Sequence, residues 1–178
     1  MRELSLHLLD IAENSIAARA TIIKIMVDEN TVFDRLRLTV EDNGIGMDKE
    51  MAAKVTDPFF TSRTTRKVGL GIPLLKEAAE ACNGSLELWS EKGLGTRISI
   101  EFQRSHIDRM PLGNLADTYR SLVISSPEIN WQLGYRLDDY EFLYDQKEVR
   151  DVLGDIPFSD PAVIGYIRKT FEAGLIAQ

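Results

Sequence analysis

The feature that most constrains this chain is Asp42-Asn43-Gly44-Ile45-Gly46-Met47, which directly follows the β-rich run 35–41. An acid at a strand end followed by two glycines lets the backbone come close to a ligand. The flanking periodicities say what holds such a loop. Leu4, Leu8, Ile11, Ser15 and Ala18 recur at helical spacing and predict an amphipathic helix over 3–18. The runs 21–28 and 35–41 read as strands joined through Glu29-Asn30 and a short turn. Asp48 caps a short helix to about Val55, and 72–82 forms a second amphipathic helix stopped by Asn83-Gly84. Strands at 85–90 and 96–102 make a hairpin around 93–95. The sum is an α/β fold, a two-layer sandwich with a mixed sheet and helices on one face.

Composition changes near residue 105. Residues 1–105 carry a net charge of −2 and residues 106–178 carry −5, and nine of the fourteen aromatics fall in the second stretch. This divides the chain into a core module, 1–105, and an acidic, aromatic-rich α/β extension, 106–178. In the extension, 115–122 reads as a helix, 129–136 and 141–145 as strands turning at Asp138-Asp139, and 161–173 as a last helix with Pro161 in its first turn. The net charge of −7 argues against coating nucleic acid or anionic lipid. A single cysteine, Cys82, excludes an intramolecular disulfide and a Cys-cluster zinc site, and two histidines disfavour a His-rich metal site. No apolar run reaches bilayer-spanning length and no signal-peptide pattern opens the chain, so a cytoplasmic location is expected.

The glycine loop is one of five ordered segments. Upstream is Asp10-Ile11-Ala12-Glu13-Asn14-Ser15, with Asp10 and Asn14 on one helical face. Downstream come Pro58-Phe59-Phe60-Thr61-Ser62, then Gly69-Leu70-Gly71-Ile72 opening a helix, then Gly93-Leu94-Gly95-Thr96. Together, over about residues 3–102, they resemble the GHKL superfamily of ATP-binding proteins: gyrase B subunits, the large heat-shock chaperone, histidine kinases and MutL. The first helix is most similar to MutL and the stretch 58–100 to a histidine kinase. The resemblance implies a Bergerat-type sandwich that binds ATP or ADP with Mg²⁺ between a helical layer and a lid. It implies Asn14 as the Mg²⁺ ligand, through a hard amide oxygen. Asp42 would accept from the adenine amino group, with Thr96 bracing that site, while Gly44 and Gly46 admit the base. It places Thr61, Ser62, Arg63, Lys67, Gly69, Leu70 and Gly71 on the phosphate side, where a helix N-terminus faces the phosphates. Arg63, Arg66 and Lys67 give the lid positive charge against polyphosphate, or form an ordinary solvated loop.

Asp10 stands where ATP-hydrolysing members carry a glutamate base, and histidine kinases often have no acid there. A water or hydroxyl acceptor benefits from a carboxylate that takes its proton, whereas a neutral imidazole needs less help. Asp10 is thus the candidate catalytic residue. His7, one turn earlier, reads as a packing or solvent-facing residue. Ser105-His106-Ile107-Asp108-Arg109-Met110-Pro111-Leu112 resembles the histidine-kinase phosphoacceptor box Ser-His-Glu-Leu-Arg-Thr-Pro-Leu, which makes His106 a candidate phosphoacceptor. The order is reversed, because that box normally precedes the ATP module, and this favours a linker match. Two function classes follow. One is a signalling kinase or ATPase that transfers the γ-phosphoryl to a protein side chain (His or Ser/Thr) or to water. The other is a nucleotide-gated module that binds a protein partner. A DNA-repair or topoisomerase role is disfavoured, and a homodimer is compatible with either class. Family members usually carry a strand before the first helix. The strands in 129–145 are therefore expected to complete the sheet or cover its exposed edge, with docking of a partner as the other use of the aromatics.

Overall fold

Alternation of apolar and polar residues shapes the sheet. In the computed structural model, which describes residues 3–56 and 71–175, β1 (Ile22–Asn30) buries Ile23, Ile25 and Val27 and turns Lys24, Met26 and Asp28 the other way. It pairs antiparallel with β2 (Arg35–Asp42), which pairs with β4 (Gly95–Gln103), and β3 (Ser85–Glu91) forms a hairpin with β4. On the other flank of β1, β5 (Asn130–Leu137) lies parallel to it, and β6 (Tyr140–Asp145) returns antiparallel. The result is one mixed six-stranded sheet in the order β3-β4-β2-β1-β5-β6.

The helices α1 (Leu4–Ala17), α2 (Lys49–Val55), α3 (Gly71–Ala81), α4 (Leu115–Ser125), α5 (Gln146–Leu153) and α6 (Pro161–Gly174) complete the described elements. α1 buries Leu4, Leu8, Ile11 and Ala12 on the inner residues of β1 and β2. α4 carries the crossover from β4 to β5 and packs beside α1 and α6. The extension therefore shares the core: Trp131, Leu133 and Tyr135 continue the inner face laid down by Ile23, Ile25 and Val27, as their register shows. Tyr119, Tyr144 and Phe171 stack edge to face or tilted beneath α4 and α6. Most extension aromatics are thus core residues, which removes them as docking anchors; Tyr140 and Tyr166 are the exposed ones.

A second link is polar. Glu29 is buried, accepts a hydrogen bond from Tyr135 Oη at 3.0 Å, and pairs with Arg104 at 2.7 Å. One carboxylate thereby joins β1, the segment after β4, and β5. The opposite sheet face is covered by its own charges. Glu101 pairs with Arg37 at 2.8 Å and Asp28 with Arg136 at 3.2 Å, and Arg136 also meets Glu141. Such cross-strand ladders suit a solvated face.

The helix α5 forms in a stretch to which periodicity assigns no element. Its eight residues include only Val149, Val152 and Leu153 as apolar positions, and no break separates it from β6. Asp145 serves as both strand end and N-cap, accepting from Lys147 N at 2.8 Å. The local signal for it is Asp145 with Glu148 three residues on, a capping-box spacing.

Candidate functional site

The site is built where α1 crosses the ends of β2 and β4. Ser15 faces inward from α1, and its Oγ donates to Asp42 Oδ2 at 2.6 Å. Asp42 Oδ1 accepts from Gly44 N at 2.8 Å, closing the tight turn that begins the glycine loop. Asp42 is half-buried, and its carboxylate keeps acceptor capacity beyond these two bonds. Thr96 stands opposite Asp42 in the β2–β4 register. Its Oγ1 lies 2.9 Å from Ser90 Oγ, which donates to Gly95 O and accepts from Met47 N at 2.8 Å. The single Ser90 hydrogen is engaged at Gly95, so Thr96 is the donor in that pair. Thr96 therefore braces the loop through Ser90, a residue that no sequence motif singles out.

Asn43 is a second brace without a sequence signal. Its Oδ1 accepts from Thr21 N and Ile22 N, both at 2.9 Å, and its amide donates to Thr21 Oγ1. This fastens the loop to the start of β1. The glycines are demanded by the protein's own backbone. Gly46 has φ +63, and a Cβ there would lie 2.0 Å from Glu91 O. A Cβ on Gly44 would meet Ala18 O at 2.7 Å, where Ile45 N already bonds that carbonyl.

Asp10 and Asn14 project from one face of α1, Asn14 exposed and Asp10 half-buried. Asp10 reaches the first residue of α3: a Cβ on Gly71 would stand 2.2 Å from its Oδ2. A carboxylate at that place is favoured by the positive end of the helix. His7 is buried, and its Nδ1 has no hydrogen-bond partner among the described residues. Burial pushes its pKa below the ordinary value, as does the chain's amino-terminal charge, while Asp10 acts in the opposite sense. The cluster α1–Asp42–Thr96 thus brings together Asp10, Asn14, Asp42, Gly44, Gly46, Gly71 and Thr96. Thr61, Ser62, Arg63, Arg66, Lys67, Gly69 and Leu70 lie outside the described residues.

His106 is not part of this cluster. β4 carries Thr96 at the site end and reaches Gln103 seven residues later, about 23 Å away at the usual rise, with His106 beyond it. There Asp108 N approaches His106 Nδ1 at 3.2 Å. His106 thus lies at the other end of β4 from Asp42 and Thr96. Among the described residues, no group of three or more His, Cys, Asp or Glu forms a metal cage, and no helix is long and apolar enough to cross a membrane.

Comparison with known proteins shows the family. Over residues 2–106 the chain matches the family of histidine kinase-, DNA gyrase B- and HSP90-like ATPases. It is 42% identical over 88 residues to the sensor protein kinase FleS of Pseudomonas aeruginosa, covering 49% of this chain and 22% of that protein. It is 34% identical over 91 residues to the sensor protein kinase WalK of Staphylococcus haemolyticus, covering 48% and 15%. The chain thus spans less than a quarter of either relative. A crystal structure described as the N-terminal domain of a DNA repair protein shares its fold, with a TM-score of 0.59 at 14% identity over 87% of this chain and 58% of that one. The chain belongs to the histidine kinase-, gyrase B- and HSP90-like ATPase family, and its mixed sheet with a helical layer is that family's α/β sandwich.

Proposed function

We propose that this chain binds Mg²⁺-ATP at the α1–Asp42–Thr96 cluster and transfers the γ-phosphoryl group to a protein side chain or to water. The observation that carries the reading is Asp42, held by Ser15 and Gly44 with acceptor capacity left over. A rigid acceptor of this kind selects adenine, whose amino group donates, over guanine, whose carbonyl at the same position would face it unpaired. Asn14 would offer its amide oxygen to Mg²⁺, with the triphosphate and water supplying the other ligands. The donor fits because it is a hard oxygen, exposed, on the face of α1 that also carries Asp10. When bound, the ion would neutralise charge that develops on the transferred group.

In this reading the α3 N-terminus holds phosphate oxygens, and Arg63, Arg66 and Lys67 add positive charge from the 58–70 stretch. Asp10 takes the proton of the attacking water or hydroxyl as the bond to the γ-phosphorus forms and the bond to the β-phosphate oxygen breaks. The position of His106 supports an acceptor outside this copy, and so a protein substrate or water. It equally supports the second reading, a nucleotide-gated module whose bound ATP controls a partner surface. In both, 1–105 is the nucleotide module and 106–178 completes its sheet.

The test is titration of the purified chain with ATP by calorimetry, with and without Mg²⁺, followed by incubation with [γ-³²P]ATP. Binding that weakens in Asn14→Ala only when Mg²⁺ is present supports the site. Phosphate release lost in Asp10→Asn supports catalysis. Tight binding without release or label favours the gated module, and absence of binding removes both readings.

A further inference from the structure

The charges on the open sheet face are ordered with a symmetry that solvation alone does not require. Rows of outward side chains cross the four strands β3, β4, β2 and β1. The row beside the glycine loop reads Trp89, Arg97, Glu41, Lys24. Two residues along, Ser99 on β4 stands next to Thr39 on β2, and two further on Glu101 stands next to Arg37. Over β3, β4 and β2 these rows enclose an open depression of about 690 Å³. The far row is paired within the chain, Arg37 holding Glu101 at 2.8 Å. In the near row Arg97, Glu41 and Lys24 are exposed and form no ion pair or hydrogen bond among the described residues. Trp89 is 52% exposed, whereas Trp131 is fully buried. Exposed Trp and Arg side by side are the residues that interfaces favour as anchors.

About a line drawn between β4 and β2 the charges are antisymmetric. Arg97 lies across it from Glu41 in one row, and Glu101 lies across it from Arg37 in the other. A two-fold axis along that line, in the plane of contact, sets each β4 side chain over the β2 side chain of the same row in a second copy. Arg97 then meets Glu41, Glu101 meets Arg37 and Ser99 meets Thr39, each contact made twice, as a two-fold interface requires. One strand farther out Trp89 meets Lys24, a cation over an indole face. An axis moved one strand over, between β2 and β1, would set Trp89 against Asp145 and Arg97 against Gln132, and the guanidinium would lack a counter-charge.

We propose that this face is a self-association surface, on which a second copy of the chain packs about a two-fold axis parallel to β2 and β4, with Arg97 and Glu41 as its reciprocal ion pairs. Sheets packed face to face lie about 10 Å apart, a gap that long charged side chains bridge. Sheet twist swings the outer strands apart, so the four charges beside the axis carry the contact. Four strands and three rows span about 400 Å² of each copy, the scale of a weak, reversible association. Asp42 faces α1 on the other side of the sheet, so the proposal stands or falls apart from the nucleotide reading.

The experiment is sedimentation of the full chain over a concentration series reaching the millimolar range. A monomer–dimer equilibrium is expected at about 50 mM NaCl, weakened about fivefold or more at about 500 mM. Arg97→Glu and Glu41→Arg each set like charges face to face and should weaken self-association about tenfold or more. An equimolar mixture of the two variants restores opposite charges in both pairs and should associate at least as tightly as the wild type. Trp89 supplies a measure in the unaltered chain: Trp131 is buried, so acrylamide quenching reports on Trp89 and should fall as the dimer forms. A monomer at every concentration, or an association indifferent to both charge reversals, overturns the inference. So does a mixture of folded variants that stays monomeric, or quenching that holds constant while the dimer forms. Should either variant fail to fold, the quenching of the wild type decides alone.

Discussion

The two ends of strand β2 carry an aspartate each, used in opposite ways. Beside its start, Asp34 accepts from Gln103 Nε2 at 2.9 Å, Ser105 N at 2.9 Å and Ser105 Oγ at 2.7 Å. At its finish, Asp42 accepts, among the described residues, from Ser15 Oγ and Gly44 N. Asp34 spends nearly all its acceptor capacity on its own chain and acts as a clasp that fixes the exit of β4. Asp42, with two such bonds, keeps acceptor capacity unspent. Local hydrogen bonding can therefore distinguish a fastening from a docking point when the residue type and the strand-end position are the same.

The sharpest way to break this comparison is to block the loop that follows Asp42. Gly46→Ala would force a side chain onto Glu91 O in a left-handed conformation, and should cost about 2–4 kcal/mol in denaturant unfolding. An unchanged midpoint would mean that the loop has other ways to close. Asp42→Ala comes next: nucleotide affinity should fall by about 2 kcal/mol or more, roughly 30-fold, because a charged acceptor is lost. Calorimetry with ATP and GTP checks it, and selectivity for adenine that survives the substitution would sink the role given to Asp42. Tyr135→Phe removes the buried bond to Glu29 and should cost about 1–2 kcal/mol of stability with nucleotide affinity unaltered.

The smallest effects are those of acid. Hydrogen bonds from Ser105 and Gln103 hold the Asp34 carboxyl below its ordinary value of 3.8, and Thr31 does the same for Asp138. Depressed carboxyl pKa values add stability that is complete above the unfolded value and is lost as pH falls through the folded one. His7, lowered from 6.5 by burial, must also charge in acid, but its contribution starts to fade just below that value. Melting temperature should therefore fall in two stages, the first absent in His7→Asn and the second reduced in Asp34→Ala. Superimposable pH profiles for wild type and His7→Asn would remove the first stage.

Much of the site is legible in the residues alone. The spacing of Asp10 and Asn14 on one helix and the position of the glycine loop after a strand are local facts, readable from periodicity and turn chemistry. The cap Asp48 and the stop at Asn83-Gly84 are readable for the same reason. Ser90 and Asn43 are not, because a serine in a strand and an asparagine in a loop look like any others until their distant partners are known. His7 is ambiguous by periodicity: its helical position admits an inward or an outward face, and only packing against neighbouring elements makes it a buried orphan. α5 is missed by periodicity because only three of its eight residues are apolar, which leaves the Asp145–Glu148 cap spacing as its local signal.

What the sequence determined by itself was the succession of the helices and strands other than α5, since those signals depend on contacts within a few residues. What only the tertiary structure decided was which groups meet. The parallel pairing of β5 with β1 closes a gap of about a hundred residues in the chain, and Glu29 reaches Tyr135 across 106 positions. Such pairings arise because burying the inner faces of both strands under one helical layer stabilises them together, and no local pattern names the partner. The same long-range packing set His106 at the far end of the sheet and Asp10 against Gly71, and so drew the boundary of the site.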